Sequence, residues 1–138
     1  MLVRRLSDAP AEEWHRLRYH ALMDAGQLGA RNMSVTWLEI PAGAEQTLRS
    51  DEGAEQVYVV VRGAGTMSVA GDTQDVGEGD LILVPPATDH SIANNGEEPL
   101  ACVSVQSPPV AAADPMTFAR SSRLAKTSNS AKRMSSGS

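Results

Sequence analysis

The sequence predicts an all-β antiparallel sandwich or barrel, on three observations. Apolar or alternating runs of five to seven residues recur along the chain, and turn signals separate them every 8 to 12 residues. Glycine (11) and proline (8) are plentiful for 138 residues, which favours many short elements over a few long helices. The length suits one domain with a real core. Hydrophobic content of 41% and charged content of 21% are ordinary for a globular protein.

The elements follow in order. Ser7 or Asp8 can cap, Pro10 is tolerated in a first turn, and Glu12 and Glu13 suit the positive end of a helix dipole, so a short helix is expected over Pro10 to Arg18. Trp14 and Leu17 would form its apolar stripe. Tyr19 to Met23 fits either a continuation of the helix or a first strand, and Asp24 to Gly29 reads as a loop. From Asn32 the period changes to two, with Met33, Val35 and Trp37 alternating against Ser34, Thr36 and Leu38 up to Pro41. Val57 to Val61 is β-branched and apolar on both faces, as in a central strand. Thr66 to Ala70 and Thr73 to Val76 flank a tight turn at Gly71-Asp72. Leu81 to Val84 is an apolar strand stopped by Pro85-Pro86. His90 to Asn94 is a short strand before the Asn95-Gly96 turn, and Leu100 to Gln106 alternates again. After Pro109 the pattern dissolves into a serine-rich end. The expected organisation is a helical or extended arm over 1–31, a barrel over 32–109 and a disordered tail over 110–138, with Met116, Phe118 and Leu124 as the tail's only anchors.

Charge is unevenly spread. The net charge of −5 divides into +4 from Ser107 onward and −9 before it. An acidic body disfavours nucleic acid, whose phosphates it would repel. The basic tail is either a solvated segment or a contact for an acidic partner. No run approaches the ~18 apolar residues that span a bilayer, so no membrane is expected. The N-terminus has no apolar stretch behind its arginines to make a signal peptide. One cysteine, Cys102, permits no internal disulfide, which is compatible with a cytoplasmic setting. With no basic neighbour in sequence, it reads as a buried, inert thiol.

Two spaced patterns carry a resemblance. Gly79, Pro85, Ala87, His90 and Asn94 stand at the spacing of a glycine, five residues, proline, one residue, a small residue, two residues, histidine, three residues, asparagine. Upstream, Gly43, Arg49, Asp51, Gln56 and Gly63 keep the spacing of a second pattern. Over Asn32 to Gln106 the chain resembles the cupin superfamily. The resemblance implies a double-stranded β-helix, or jelly-roll barrel, with a site in its mouth and a homodimer formed through outer strands. It also implies a divalent metal held by three histidines and a glutamate. Here the corresponding residues are Arg49, Asp51, Gln56 and His90, so only one imidazole is kept, and Ala87 replaces the usual glycine.

Guanidinium has no lone pair to offer a metal, so Arg49 cannot ligate. Asp51, Gln56 and His90 form the one candidate metal set; otherwise the protein has no cofactor. In the other reading Arg49 replaces the metal's positive charge. Arg49 and Asp51, at i and i+2, would share one strand face. If the cupin register holds, they converge with Gln56, Tyr58 and His90 on a small anionic ligand. His90 titrates near working pH and suits a general acid or base, as in some metal-free cupin epimerases and isomerases. Plainer readings stand beside these. Arg49 and Asp51 can be a rim ion pair, His90 a structural histidine and Tyr58 a core residue. His15 reads as a surface residue, and His20 as one that could approach the mouth. Two functions stay open: a small-molecule-binding module, and a cupin enzyme, isomerase- or oxygenase-like, that uses His90 as acid/base or as metal ligand.

Overall fold

The computed structural model describes residues 1–24 and 31–109. Ten strands run in the order β1 (Ala11–Trp14), β2 (Leu17–Met23), β3 (Ser34–Ile40), β4 (Glu45–Arg49), β5 (Glu55–Arg62), β6 (Ala64–Val69), β7 (Asp72–Gly77), β8 (Leu81–Val84), β9 (Asp89–Ala93) and β10 (Leu100–Ser107). They form a six-stranded sheet, β1-β2-β3-β10-β5-β8, and a four-stranded sheet, β4-β9-β6-β7. Every pairing is antiparallel. The two sheets close on a shared interior as a jelly-roll barrel. β5 is central, between β10 and β8, as its two-faced apolar sequence requires.

The core fills from alternate positions. Leu38, Ile40, Tyr58, Val60, Val84, Ile92, Leu100 and Cys102 are all at most 1% exposed. In β10 the alternation runs against simple patterning. Cys102, Ser104 and Gln106 face inward and are buried, while Val103 and Val105 face outward and are half-buried. One part of the interior is therefore polar.

The arm corrects one expectation. The only helical element among the described residues is a 3-10 turn at Leu6–Asp8, and Pro10 to Arg18 is not a helix. β1 and β2 form a hairpin in which Trp14 faces Leu17, with His15 (φ 52°) and Arg16 (φ 72°) as a two-residue turn. Positive φ at both positions gives the turn twist that suits a hairpin. Helix propensity is a weak preference, and burial overrides it here. Leu17, Tyr19 and Ala21 are buried at a period of two, and β2 pairs with β3. His15 lies exposed in that turn. The tail expected to be disordered, 110–138, lies outside the described residues, as does most of the Asp24 to Gly29 loop.

The spaced glycines and the final asparagine prove to be structural. Gly63 has φ +83°, and a Cβ there would collide with the Pro99 carbonyl. Asn94 donates to the carbonyls of Ile40 (2.9 Å) and Glu98 (2.8 Å), and its Oδ1 accepts from Gly96 N (3.0 Å). It ties the turn after β9 to the end of β3.

Candidate functional site

The polar part of the interior is built by register. β5 and β10 pair Gln56 with Gln106, Tyr58 with Ser104 and Val60 with Cys102. Along β5 the inward face thus passes from polar to apolar. On the opposite sheet Leu48 pairs with His90. Ser50 joins the two motif regions here: its Oγ donates to the Pro85 carbonyl at 2.6 Å and accepts from Thr88 N at 2.8 Å.

A buried hydrogen-bonded chain crosses this end. Tyr58 Oη donates to Gln46 Oε1 at 2.8 Å, and Gln46 Nε2 donates to Tyr19 Oη at 3.0 Å. Tyr58 Oη also lies 3.2 Å from His90 Nε2. His90 Nδ1 lies 3.1 Å from the Thr88 carbonyl. A carbonyl only accepts, so Nδ1 carries the imidazole proton and Nε2 presents a lone pair. The single Tyr58 proton then stands between two acceptors, Gln46 Oε1 and His90 Nε2. Beside this chain, Gln56 Nε2 donates to Ser104 Oγ at 2.7 Å.

Burial decides the charge states. Desolvation lowers the pKa of His90, although the Thr88 carbonyl and the Asp89 charge act the other way. Burial also raises Tyr58 well above its ordinary value, and Tyr19 likewise. The lining is therefore neutral at physiological pH: amides, hydroxyls and one uncharged imidazole.

The predicted site residues separate into two groups. Gln56, Tyr58 and His90 are brought into the same polar end, all buried. Arg49 and Asp51 are not. Leu48 and Ser50 take the inward positions of that segment, so Arg49 between them turns outward. Its side chain is 53% exposed and pairs with Asp89 Oδ1 at 3.1 Å. Asp51 is exposed and accepts from Gln106 Nε2 at 3.1 Å, at the rim. The expected convergence of Arg49 with Asp51 on an inner face is thus replaced by two separate rim contacts. His20 does not enter the polar chain; its Nδ1 lies 3.5 Å from the Ala9 carbonyl.

The donor set does not fit the metal that the fold family implies. Arg49 cannot ligate and faces out, and the Asp51 carboxylate is engaged at the rim. Among the described residues no group of three or more His, Cys, Asp or Glu is placed to hold a metal ion. The candidate set of Asp51, Gln56 and His90 would contribute one carboxylate, one amide and one imidazole whose lone pair meets Tyr58.

Gln46, Tyr19, Ser104 and Gln106 belong to the polar interior and were not singled out by sequence. Tyr19 lies in the stretch that the sequence left open between helix and strand. Gln46 shares the parity of Leu48, and Ser104 and Gln106 share that of Cys102, which is the signal that could have found them.

A jelly-roll barrel with a neutral polar interior at one end defines a class of protein, the small jelly-roll β-barrels. The family model for the cupin domain matches residues 36–106, and the chain belongs to this family. It is 33% identical over 70 residues to an uncharacterised protein of Methanocaldococcus jannaschii, covering 51% of this chain and 56% of that protein. It is 30% identical over 95 residues to a Vibrio cholerae protein provisionally named a mannose-1-phosphate guanylyltransferase, covering 67% of this chain but 20% of that protein. The chain thus spans well under two thirds of each of these relatives. Among solved structures, a predicted oxalate decarboxylase from Thermotoga maritima superposes with a TM-score of 0.71 at 19% identity, over 78% of this chain and 99% of that one. That likeness concerns the fold alone. A protein of Acidithiobacillus ferrooxidans, provisionally named a sugar phosphate isomerase, is 28% identical with a TM-score of 0.55, over 66% of this chain and 58% of that one. No helix among the described residues is long and apolar enough to cross a membrane.

Proposed function

We propose that this protein binds a small hydroxyl- or carbonyl-bearing molecule in the polar end of its barrel. The observation that carries the reading is the neutral lining of Gln46, Gln56, Tyr58 and His90, a set of donors and acceptors with no buried formal charge. Ligand sites set a few placed polar groups among apolar side chains, and the barrel interior has that mix of residues. The sequence alone suggests an anion held by Arg49. The outward turn of Arg49 shifts the reading to a neutral ligand body, with any anionic group left at the rim near Arg49. The likeness to the A. ferrooxidans protein supports a sugar-like ligand as the first class to try. A cytoplasmic setting is consistent with the single buried thiol of Cys102.

A second reading has one observation behind it. His90 is neutral, its tautomer is set by the Thr88 carbonyl, and its Nε2 lone pair meets the Tyr58 hydroxyl. That is the arrangement of a general base with an adjacent proton donor, suited to isomerisation next to a carbonyl.

The test is a thermal-shift panel of neutral sugars, polyols, small carboxylates and sugar phosphates. Neutral sugars or polyols should raise the melting temperature of the wild type. Stabilisation by anions alone, abolished in Arg49→Ala, would overturn the neutral-ligand reading, and so would a panel with no stabiliser. Stabilising compounds are then followed by NMR with wild type and His90→Gln. Conversion by the wild type alone would favour the enzyme.

A further inference from the structure

The buried pair of the polar end has almost no surface of its own. Tyr58 is 0% and His90 3% exposed. The barrel is open beside them. β7 and β8 are edge strands of different sheets; they follow each other in the chain but share no hydrogen-bonded ladder. Between them lies an opening of about 480 Å³. Small-molecule sites usually measure roughly 300–1,000 Å³.

Register ties this opening to the pair. Residues directly opposite on antiparallel strands present their side chains to the same face. Across β9, β6 and β7, His90, Val69 and Asp72 form one inward row, and Ile92, Met67 and Gln74 form the next. On the other sheet Ile82 stands opposite Tyr58. Met67, Val69, Asp72, Gln74 and Ile82 all line the opening. Strands lie about 4.8 Å apart, so Asp72 is roughly 10 Å from His90 along the row. The row passes from buried His90 through half-buried Val69 to exposed Asp72. From solvent inward the lining is thus polar, then apolar, then polar again. Among the described residues no lysine or arginine lines it. The other lining carboxylate, Asp80, is engaged by the Gly77 N–H at 2.8 Å.

We propose that the opening between β7 and β8 is the subsite for the body of the ligand, and that this body is apolar and carries no anionic group. The inference rests on the polar-end reading above and narrows it to an amphipathic ligand. The hydroxyl or carbonyl passes between Val69 and Ile82 to meet Tyr58 and His90. A carbon chain or ring lies against Met67, Val69 and Ile82, and its far end faces Asp72 and Gln74. Both of these side chains accept hydrogen bonds, so a hydroxyl or ammonium terminus suits them. A carboxylate or phosphate there would face the Asp72 charge. Arg49 does not offset it, because β4 and β7 are opposite edges of their sheet.

The test titrates the isotope-labelled full chain by NMR with linear butanol, hexanol, aminohexanol and hydroxyhexanoate. All four carry the same hydroxyl head, and the last two add a charge at the far end. Each buried methylene strengthens binding about fourfold, so hexanol should bind roughly tenfold more tightly than butanol. The amides of Val69, Val76 and Ile82 should shift together with the His90 ring. Hydroxyhexanoate should bind more weakly than aminohexanol, by a factor that shrinks in Asp72→Asn. Gln74→Trp places bulk in the opening from an exposed position and should abolish the gain from chain length. Shifts centred on the outward Leu81 and Leu83, or a charge preference indifferent to Asp72→Asn, would overturn the proposal. His90 shifts without a gain from chain length would overturn it and leave the polar-end reading standing. A gain from chain length with an unmoved His90 ring, unchanged in Tyr58→Phe, would overturn the polar-end reading instead. No binding by any of the four would overturn the subsite, and the sugar and polyol panel would then judge the polar end alone.

Discussion

The Tyr58 hydroxyl stands 3.2 Å from His90 Nε2, and the two rings meet edge to face with centroids 5.7 Å apart. Because the same hydroxyl lies 2.8 Å from Gln46 Oε1, one proton serves two buried acceptors. Tyr58→Phe keeps the ring and removes that proton. Gln46 Oε1 and His90 Nε2 both lose their donor, and a buried polar group left unpaired costs about 1–3 kcal/mol. Urea denaturation should show a loss of that size. No change in midpoint would mean that the hydroxyl contributes nothing to the interior.

His90 makes stability depend on pH in a definite direction. Burial lowers its pKa in the folded state below the ordinary 6.5. Between the two values the unfolded chain binds more protons, so its contribution to stability rises with pH. The contribution is complete above the unfolded value and is lost as pH falls below it, until the folded group itself protonates. Denaturation at pH 5 and pH 7.5 should show a smaller pH dependence for His90→Gln than for wild type.

Cys102 should be silent in the native protein. It is buried, and desolvation pushes its thiol up to about 12. The thiolate is the reactive species, so a disulfide reagent at pH 8 should label Cys102 only through opening of the barrel. Rapid stoichiometric labelling under native conditions would contradict this burial.

Ala87 occupies the position where the cupin pattern has glycine, and its φ is +54°. A left-handed conformation costs a residue with a Cβ roughly 1–2 kcal/mol. Glycine relieves that strain but gives back part of it in chain entropy. Ala87→Gly is expected to stabilise the protein by about 1 kcal/mol, read as a higher denaturation midpoint. A destabilised variant would show that the alanine methyl makes contacts worth more than the strain.

The outer face of the larger sheet carries an unbroken apolar row. Leu83, Val57, Val105 and Val35 face one another across four strands, and Leu81, Val59, Val103 and Trp37 form the row beside it. We expect a second copy to cover this face in a homodimer. Sedimentation should show a dimer for wild type and a monomer for Val59→Lys. A monomeric wild type would refute the pairing.

The sequence by itself determined an all-β sandwich or barrel, and its resemblance to the cupins implied the jelly roll. Strand-length apolar runs, the turn residues between them and the spacing of Gly43, Gly63 and Gly79 are local features, and local steric limits make them legible. It also put Gln56 and Tyr58 on one strand face, because a strand's period of two carries over along its length. Only the tertiary structure decided the rest. The hairpin at Trp14–Leu17 replaced a helix because Leu17, Tyr19 and Ala21 found a core to enter, and no local window contains that core. Arg49 turned outward because Leu48 and Ser50 were buried on either side of it, and a strand cannot bury adjacent side chains on one face. Whether Gln46, Gln56 and His90 form one interior depends on pairings between residues far apart in the chain. Those pairings converted a pattern that resembles a metal motif into a neutral hydrogen-bonded chain.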